Sequence, residues 1–230
     1  MMPSRSSSAI YASAAVPIEE SYTPLSSPPN KSRYDDVPSP THRSSCAAWV
    51  DPASLSNYGD VSHISGNVSS HVKQLILNTY MAYGAGDENC FGHAVAKAAK
   101  FVEINVSKCE EKQGRMEATT VAEVVVTKNM LNGAGMLHGG CVAFLIDNCC
   151  STPLIVLGLL QNINGVGVTQ AMNVLFHSPA PLGSCLRIVS TSVAMGGRIM
   201  SARCEIIEKR TGRIVASAYL NKMQPTMPKL

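Results

Sequence analysis

Two strand-like segments, one long apolar segment and four further strand-like segments, in that order, predict an α+β domain. In it an antiparallel sheet wraps around a long central helix. Three observations carry this expectation. After about residue 100 the hydrophobic period changes from three-and-four to two. The stretch from Leu137 to Gly158 is apolar nearly all round and must be covered on several sides. Residues 198–208 alternate, with Met200, Ala202, Cys204 and Ile206 on one face and Ser201, Arg203 and Glu205 on the other. One sheet face is therefore wet, and the other packs against something apolar.

Residues 1–65 are rich in Ser and Pro, with few periodic apolar positions, and read as a disordered tail. The tail starts with Ser and Ala and a single Arg before Glu19, an incomplete transit-peptide pattern. From Val68 to Tyr83, Val72, Leu75, Ile76, Thr79 and Tyr80 recur at helical spacing, and Gly84 and Gly86 close the helix. A short helix follows over His93–Lys100. Strands are expected over Phe101–Cys109 and Met116–Thr127, separated by a turn at Gln113-Gly114. The long helix comes next, with a kink at Pro153, whose ring clashes with the preceding turn. Four strands end the domain at about 163–177, 184–195, 198–208 and 213–222. Gly183, Gly196-Gly197 and Thr211-Gly212 are read as their hairpin turns. This order is the hotdog architecture, over residues 66–225, with 226–230 as an exposed C-terminal tail.

Composition narrows the function by exclusion. Nineteen basic against sixteen acidic residues give a net charge of +3. With no basic run there is no footprint for nucleic acid. The eight cysteines, at 46, 90, 109, 141, 149, 150, 185 and 204, lack C-x-x-C spacing and read as reduced thiols of an intracellular protein. The run Cys141–Leu160 is interrupted by Asp147, Asn148 and Pro153, so it reads as a buried helix and not a membrane span.

The chemistry concentrates in the segment from Asn132 to Asn148. A helix opening at Gly139-Gly140 points unpaired backbone N–H groups at whatever lies before it, and glycine lets a ligand come close. Such an end can hold a developing oxyanion. Asp147 lies seven residues past Gly140, about 10 Å along the axis at ~1.5 Å per residue. One helix cannot bring both groups to one carbon. If both act together, Asp147 comes from a second subunit.

The pattern Asn132-x5-His138-Gly139-Gly140-x6-Asp147-Asn148 resembles the signature of hotdog-fold acyl-CoA thioesterases of the phenylacetyl-CoA and thioesterase-superfamily-member type. The similarity continues through Gly167–Ala180, Leu182-Gly183, Gly197-Arg198 and Thr211-Gly212-Arg213, and covers about residues 95–225. The resemblance implies hydrolysis of acyl-CoA to a free acid and coenzyme A, with no metal or redox cofactor, in a homodimer or homotetramer.

It makes Asp147 the general base on a water, or the nucleophile itself. Gly139 becomes the oxyanion N–H, with Gly140 supporting it, and Asn132 the amide that positions the thioester or the water. Thr169 falls where many relatives carry a serine that holds the water. His138 mainly shapes the turn, and a direct proton-transfer role is its alternative. Arg198 and Lys222 match positions that are commonly basic and are expected at the rim, on the phosphates of coenzyme A.

Two rivals stay open. One is a hotdog hydratase or dehydratase, against which His138-Gly-Gly argues. The other is an acyl-CoA-binding protein without catalysis. The ending Pro228-Lys229-Leu230 differs by one residue from Ser-Lys-Leu and predicts peroxisomal import, with cytoplasm or mitochondrion as alternatives.

Overall fold

A computed structural model describes residues 52–224. The tail expected before residue 52 and the Pro228-Lys229-Leu230 ending lie outside the described residues.

The chain forms helix α1 (Ser70–Tyr80), a π-turn (Met81–Ala85), helix α2 (His93–Ala98), and strands β1 (Lys100–Cys109) and β2 (Arg115–Val125). Helix α3 (Gly139–Gln161) follows, then β3 (Val168–Phe176), β4 (Cys185–Met195), β5 (Ile199–Glu208) and β6 (Ile214–Met223). Ser69 caps α1, its hydroxyl accepting the N–H of Val72. The six strands form one sheet in the order β1-β2-β4-β5-β6-β3, and every adjacent pair is antiparallel. This is the predicted α+β arrangement.

α3 fills the hollow of the sheet. Its Leu145, Ile146, Leu154 and Val156 expose no surface, and Leu186 and Ile188 of β4, Ala202 and Ile206 of β5 and Leu220 of β6 are equally closed. By length and composition α3 could cross a membrane, but 72% of its most apolar window is buried inside this domain. Removing the large side chains along it from water is the main source of stability, at roughly 1.5–3 kcal/mol each.

Three expectations change. The ordered chain starts before residue 65: Pro52–Ser54 is a 3₁₀ turn, Val61 and Ile64 are buried, and Ser65 bridges to Glu103 of β1. Those two apolar residues are too few to show a period, yet each covers part of the core. Gly183 is not a hairpin turn. β3 pairs with β6 and β4 with β2 and β5, so the β3–β4 connection crosses from the sheet edge to its centre.

Pro153 sits within α3, as expected, and Ser151 and Thr152 donate their hydroxyls to the carbonyls of Asp147 and Asn148. Ser201, on the expected wet face, is buried, and its hydroxyl donates to Asn221 at 2.7 Å.

The return from α3 to β3 is tight. A Cβ on Gly165 would lie 2.3 Å from the carbonyl oxygen of Leu154 and 2.8 Å from the Cα of Ile155. Both are backbone atoms that cannot step aside. Gly165→Ala is therefore expected to lower the unfolding free energy by about 1–3 kcal/mol. Gly133→Ala, with nothing within 4 Å of the added carbon, should be near neutral. Urea unfolding of the two variants checks the difference.

Candidate active site

The start of α3 is built by three separate segments. His138 is its N-cap, and its Nδ1 accepts the N–H of Gly140 at 2.8 Å. The His138 carbonyl takes the N–H of Val142 at 3.0 Å. Of the first-turn N–H groups, those of Gly139 and Cys141 then take no partner within the described residues, and Gly139 is the one of the two that lines the pocket with Asn132. A Cβ there would meet only the Phe176 ring, at 3.5 Å. The protein's own packing thus does not demand glycine at this position, and its absence of a side chain opens the pocket instead.

The Asn132 side chain serves its own turn, Oδ1 accepting from Ala134 N–H at 2.9 Å and Met136 N–H at 3.1 Å. Its acceptor is thereby used, and the Nδ2 donors remain for a ligand. The Ser178-Pro179-Ala180 segment pins this corner, since the Ala180 carbonyl accepts the N–H of Leu137 at 2.8 Å. Arg213 Nη2 in turn holds the Pro179 carbonyl at 2.9 Å. Asn132, Gly139, Phe176 and His177 line one pocket of about 460 Å³.

Asp147 opens into a different pocket, of about 190 Å³, with Asn148, Ser151, Lys222, Thr79, Tyr80 and Tyr83. Thr169 donates its hydroxyl to Asp147 Oδ1 at 2.6 Å, a short bond of the kind a charged acceptor makes. A β-bulge between Thr169 and Ala171 locally re-aims β3 beside the helix. The structure therefore joins Asp147 to Thr169, and Asn132 to Gly139, and keeps the two pairs in separate pockets.

Lys222 corrects its expected place. It is 7% exposed, and its Nζ donates to Ser151 Oγ at 2.9 Å beside Asp147. It faces the core and not a solvent rim. The signal was in the strand period, for Lys222 is in phase with the closed Ala216 and Leu220. Burial pulls its ammonium below the usual lysine range, while Asp147 and Cys150 push it back up. Burial also pushes Tyr80 up, and the bond shared with Cys204, with burial, does the same to Cys150. Arg198 is exposed in the β4–β5 turn.

Residues 134–215 match the family model described as the thioesterase superfamily. Human acyl-coenzyme A thioesterase 13 is 30% identical over 102 residues, 44% of this chain and 70% of that protein. The chain belongs to the thioesterase superfamily.

The mouse THEM4 acyl-coenzyme A thioesterase is 29% identical over 96 residues, 41% of this chain and 39% of its own. Among solved structures, mouse thioesterase superfamily member 2 superposes with a TM-score of 0.51 at 23% identity, covering 69% of this chain and all of that one. The chain shares its hotdog fold. Within this superfamily member the matched stretch holds Gly139, Asp147 and Thr169 but leaves Asn132, Lys222 and the α1 wall outside. Thr79, Tyr80 and Tyr83 were missed as site residues because no motif marks them; only the packing of α1 on α3 brings them there.

If His138 acts as a cap, His138→Ala should lower the unfolding free energy by roughly 1 kcal/mol, and His138→Asn should recover most of it. Urea titrations of the three proteins measure both effects.

Proposed function

We propose that this chain hydrolyses acyl-CoA thioesters to a free acid and coenzyme A. The observation that carries the proposal is the hydroxyl-bonded carboxylate Asp147 set into the apolar helix α3, together with the free Gly139 N–H at that helix's start. Acyl transfer to water needs those two functions and no more. The carbonyl oxygen of the thioester takes the Gly139 N–H and gains from the helix dipole as negative charge develops. Asn132 Nδ2 orients the thioester. Asp147 takes a proton from water as its oxygen bonds to the carbonyl carbon, while Thr169 holds the carboxylate through Oδ1. The C–S bond then breaks, and coenzyme A leaves as the thiolate.

The reaction requires two copies of the chain. About 12 Å of helix, at ~1.5 Å per residue, separates Gly139 from Asp147, and the pockets holding them are distinct. β3 supports a pairing surface, because it is an edge strand with Val168, Leu175 and Phe176 more than half exposed. Gly139 and Asn132 of one protomer then face Asp147 and Thr169 of the other. Arg198, exposed on its turn, takes a phosphate of coenzyme A.

Coenzyme A release from short-, medium-, long-chain and aryl acyl-CoA tests the reaction. Asp147→Asn should lower kcat by several orders of magnitude without unfolding, and EDTA should leave the wild-type rate unchanged. Acyl-CoA bound but never turned over by the wild type would overturn the proposal. Mixing Asp147→Asn with Asn132→Ala chains tests the shared site: heterodimers carry one intact site, so activity should recover toward about a quarter of wild type under random exchange. No recovery after demonstrated exchange would refute it.

A further inference from the structure

The reaction proposed above leaves the buried Lys222 without a role, and this inference rests on that reading. Lys222 is 7% exposed, yet its single hydrogen bond is to Ser151 Oγ at 2.9 Å. The Ser151 hydroxyl has its own proton committed to the Asp147 carbonyl at 2.6 Å, so toward Lys222 it can only accept. An ammonium has three donors, and Lys222 lines the same pocket as Asp147. A desolvated ammonium without a counter-charge is costly enough that it normally sheds its proton. Among the groups that act on Lys222, Asp147 is the carboxylate.

The register explains how the charge arrives there. Thr169 and Lys222 are cross-strand partners on β3 and β6, so a hydroxyl and an ammonium come to the same helix turn from neighbouring strands. We propose that Lys222 is a positioning residue for Asp147: the water-excluded ammonium, anchored on the Ser151 hydroxyl that itself bonds the Asp147 carbonyl, keeps the carboxylate opposite Thr169 across their shared pocket. The other titratable groups around the pair are Cys150 on α3, with Cys204 of β5 behind it, and Tyr80 and Tyr83 from α1 and the π-turn. The Cys150 thiol and Tyr80 phenol are both held toward their neutral forms, by the Cys204 bond and burial in the first and burial in the second. Asp147 is the larger of the two groups that favour the charged Lys222, ahead of Cys150.

The test uses the full chain. With ¹³C-labelled lysine, the Lys222 signal, assigned by its absence from Lys222→Arg, should titrate below the exposed lysines. In Asp147→Asn it should fall further, by roughly one pH unit or more, because the carboxylate that favours the charged form is gone. Lys222→Met should cut kcat roughly tenfold with KM for acyl-CoA within about twofold, and Lys222→Arg should restore part of kcat. If Lys222→Met does not fold, Ser151→Ala, which removes the anchor, should lower kcat in the same way. An identical Lys222 titration in wild type and Asp147→Asn overturns the pairing. So does a raised KM with unchanged kcat, the signature of a phosphate contact. Coupled titration in a protein that turns over no acyl-CoA would keep the pairing and refute only the thioesterase reading.

Discussion

A helix that is apolar on every side cannot rest on one flat layer, and covering α3 dictates the rest of this molecule. The sheet must curl around it, and α1 and α2 must close the side that the strands leave open. Everything polar on α3 then becomes conspicuous. Asp147, Asn148, Ser151 and Thr152 occupy adjacent turns, and each has a stated partner for its side chain or lies on a pocket. A carboxylate in such a helix persists only where donors meet it. Thr169 does so from β3, and the start of β3 is in turn held by the close glycine return after α3.

The same economy appears at the other end of the helix. Three segments distant in sequence converge on residues 132–140: the Asn132 turn, the Ser178–Ala180 crossover and Arg213 of the β5–β6 turn. None of the last two touches the pocket as an acid or base. Their role is to fix the direction of one backbone N–H, since an amide aimed within the first turn is useful to an oxyanion only if it does not move. His138 belongs with them. It takes the Gly140 N–H and leaves that of Gly139, which lines the Asn132 pocket, without a partner in the described chain.

Much of this was legible from residue order. The change of period near residue 100, the continuous apolar run and the alternation of 198–208 specify the layers, because those patterns follow directly from the 3.6 and 2.0 repeats of helix and strand. Asp147 and the glycine pair stand out for the same reason, as exceptions to a pattern. What escaped depends on long-range pairing. That β3 crosses to the sheet edge, so that Gly183 lies in a crossover, is a property of which strand is left for β6, and local turn chemistry is silent on it. The resemblance placed Lys222 at the rim on coenzyme A, although its phase with Ala216 and Leu220 pointed inward. The α1 wall of the Asp147 pocket leaves no local trace at all.

That wall separates two properties that many enzymes keep on one element. The groups assigned to bond-making lie on α3 and the strands, whereas Thr79, Tyr80 and Tyr83 reach the pocket from a helix and π-turn that precede them all. Tyr83 is 47% exposed, on backbone already off the helical path beside Gly84. Variation there can reshape what the cavity admits while the acid, hydroxyl and amide stay untouched. Selectivity is thus free to drift through evolution on one part of the chain while reactivity is conserved on another.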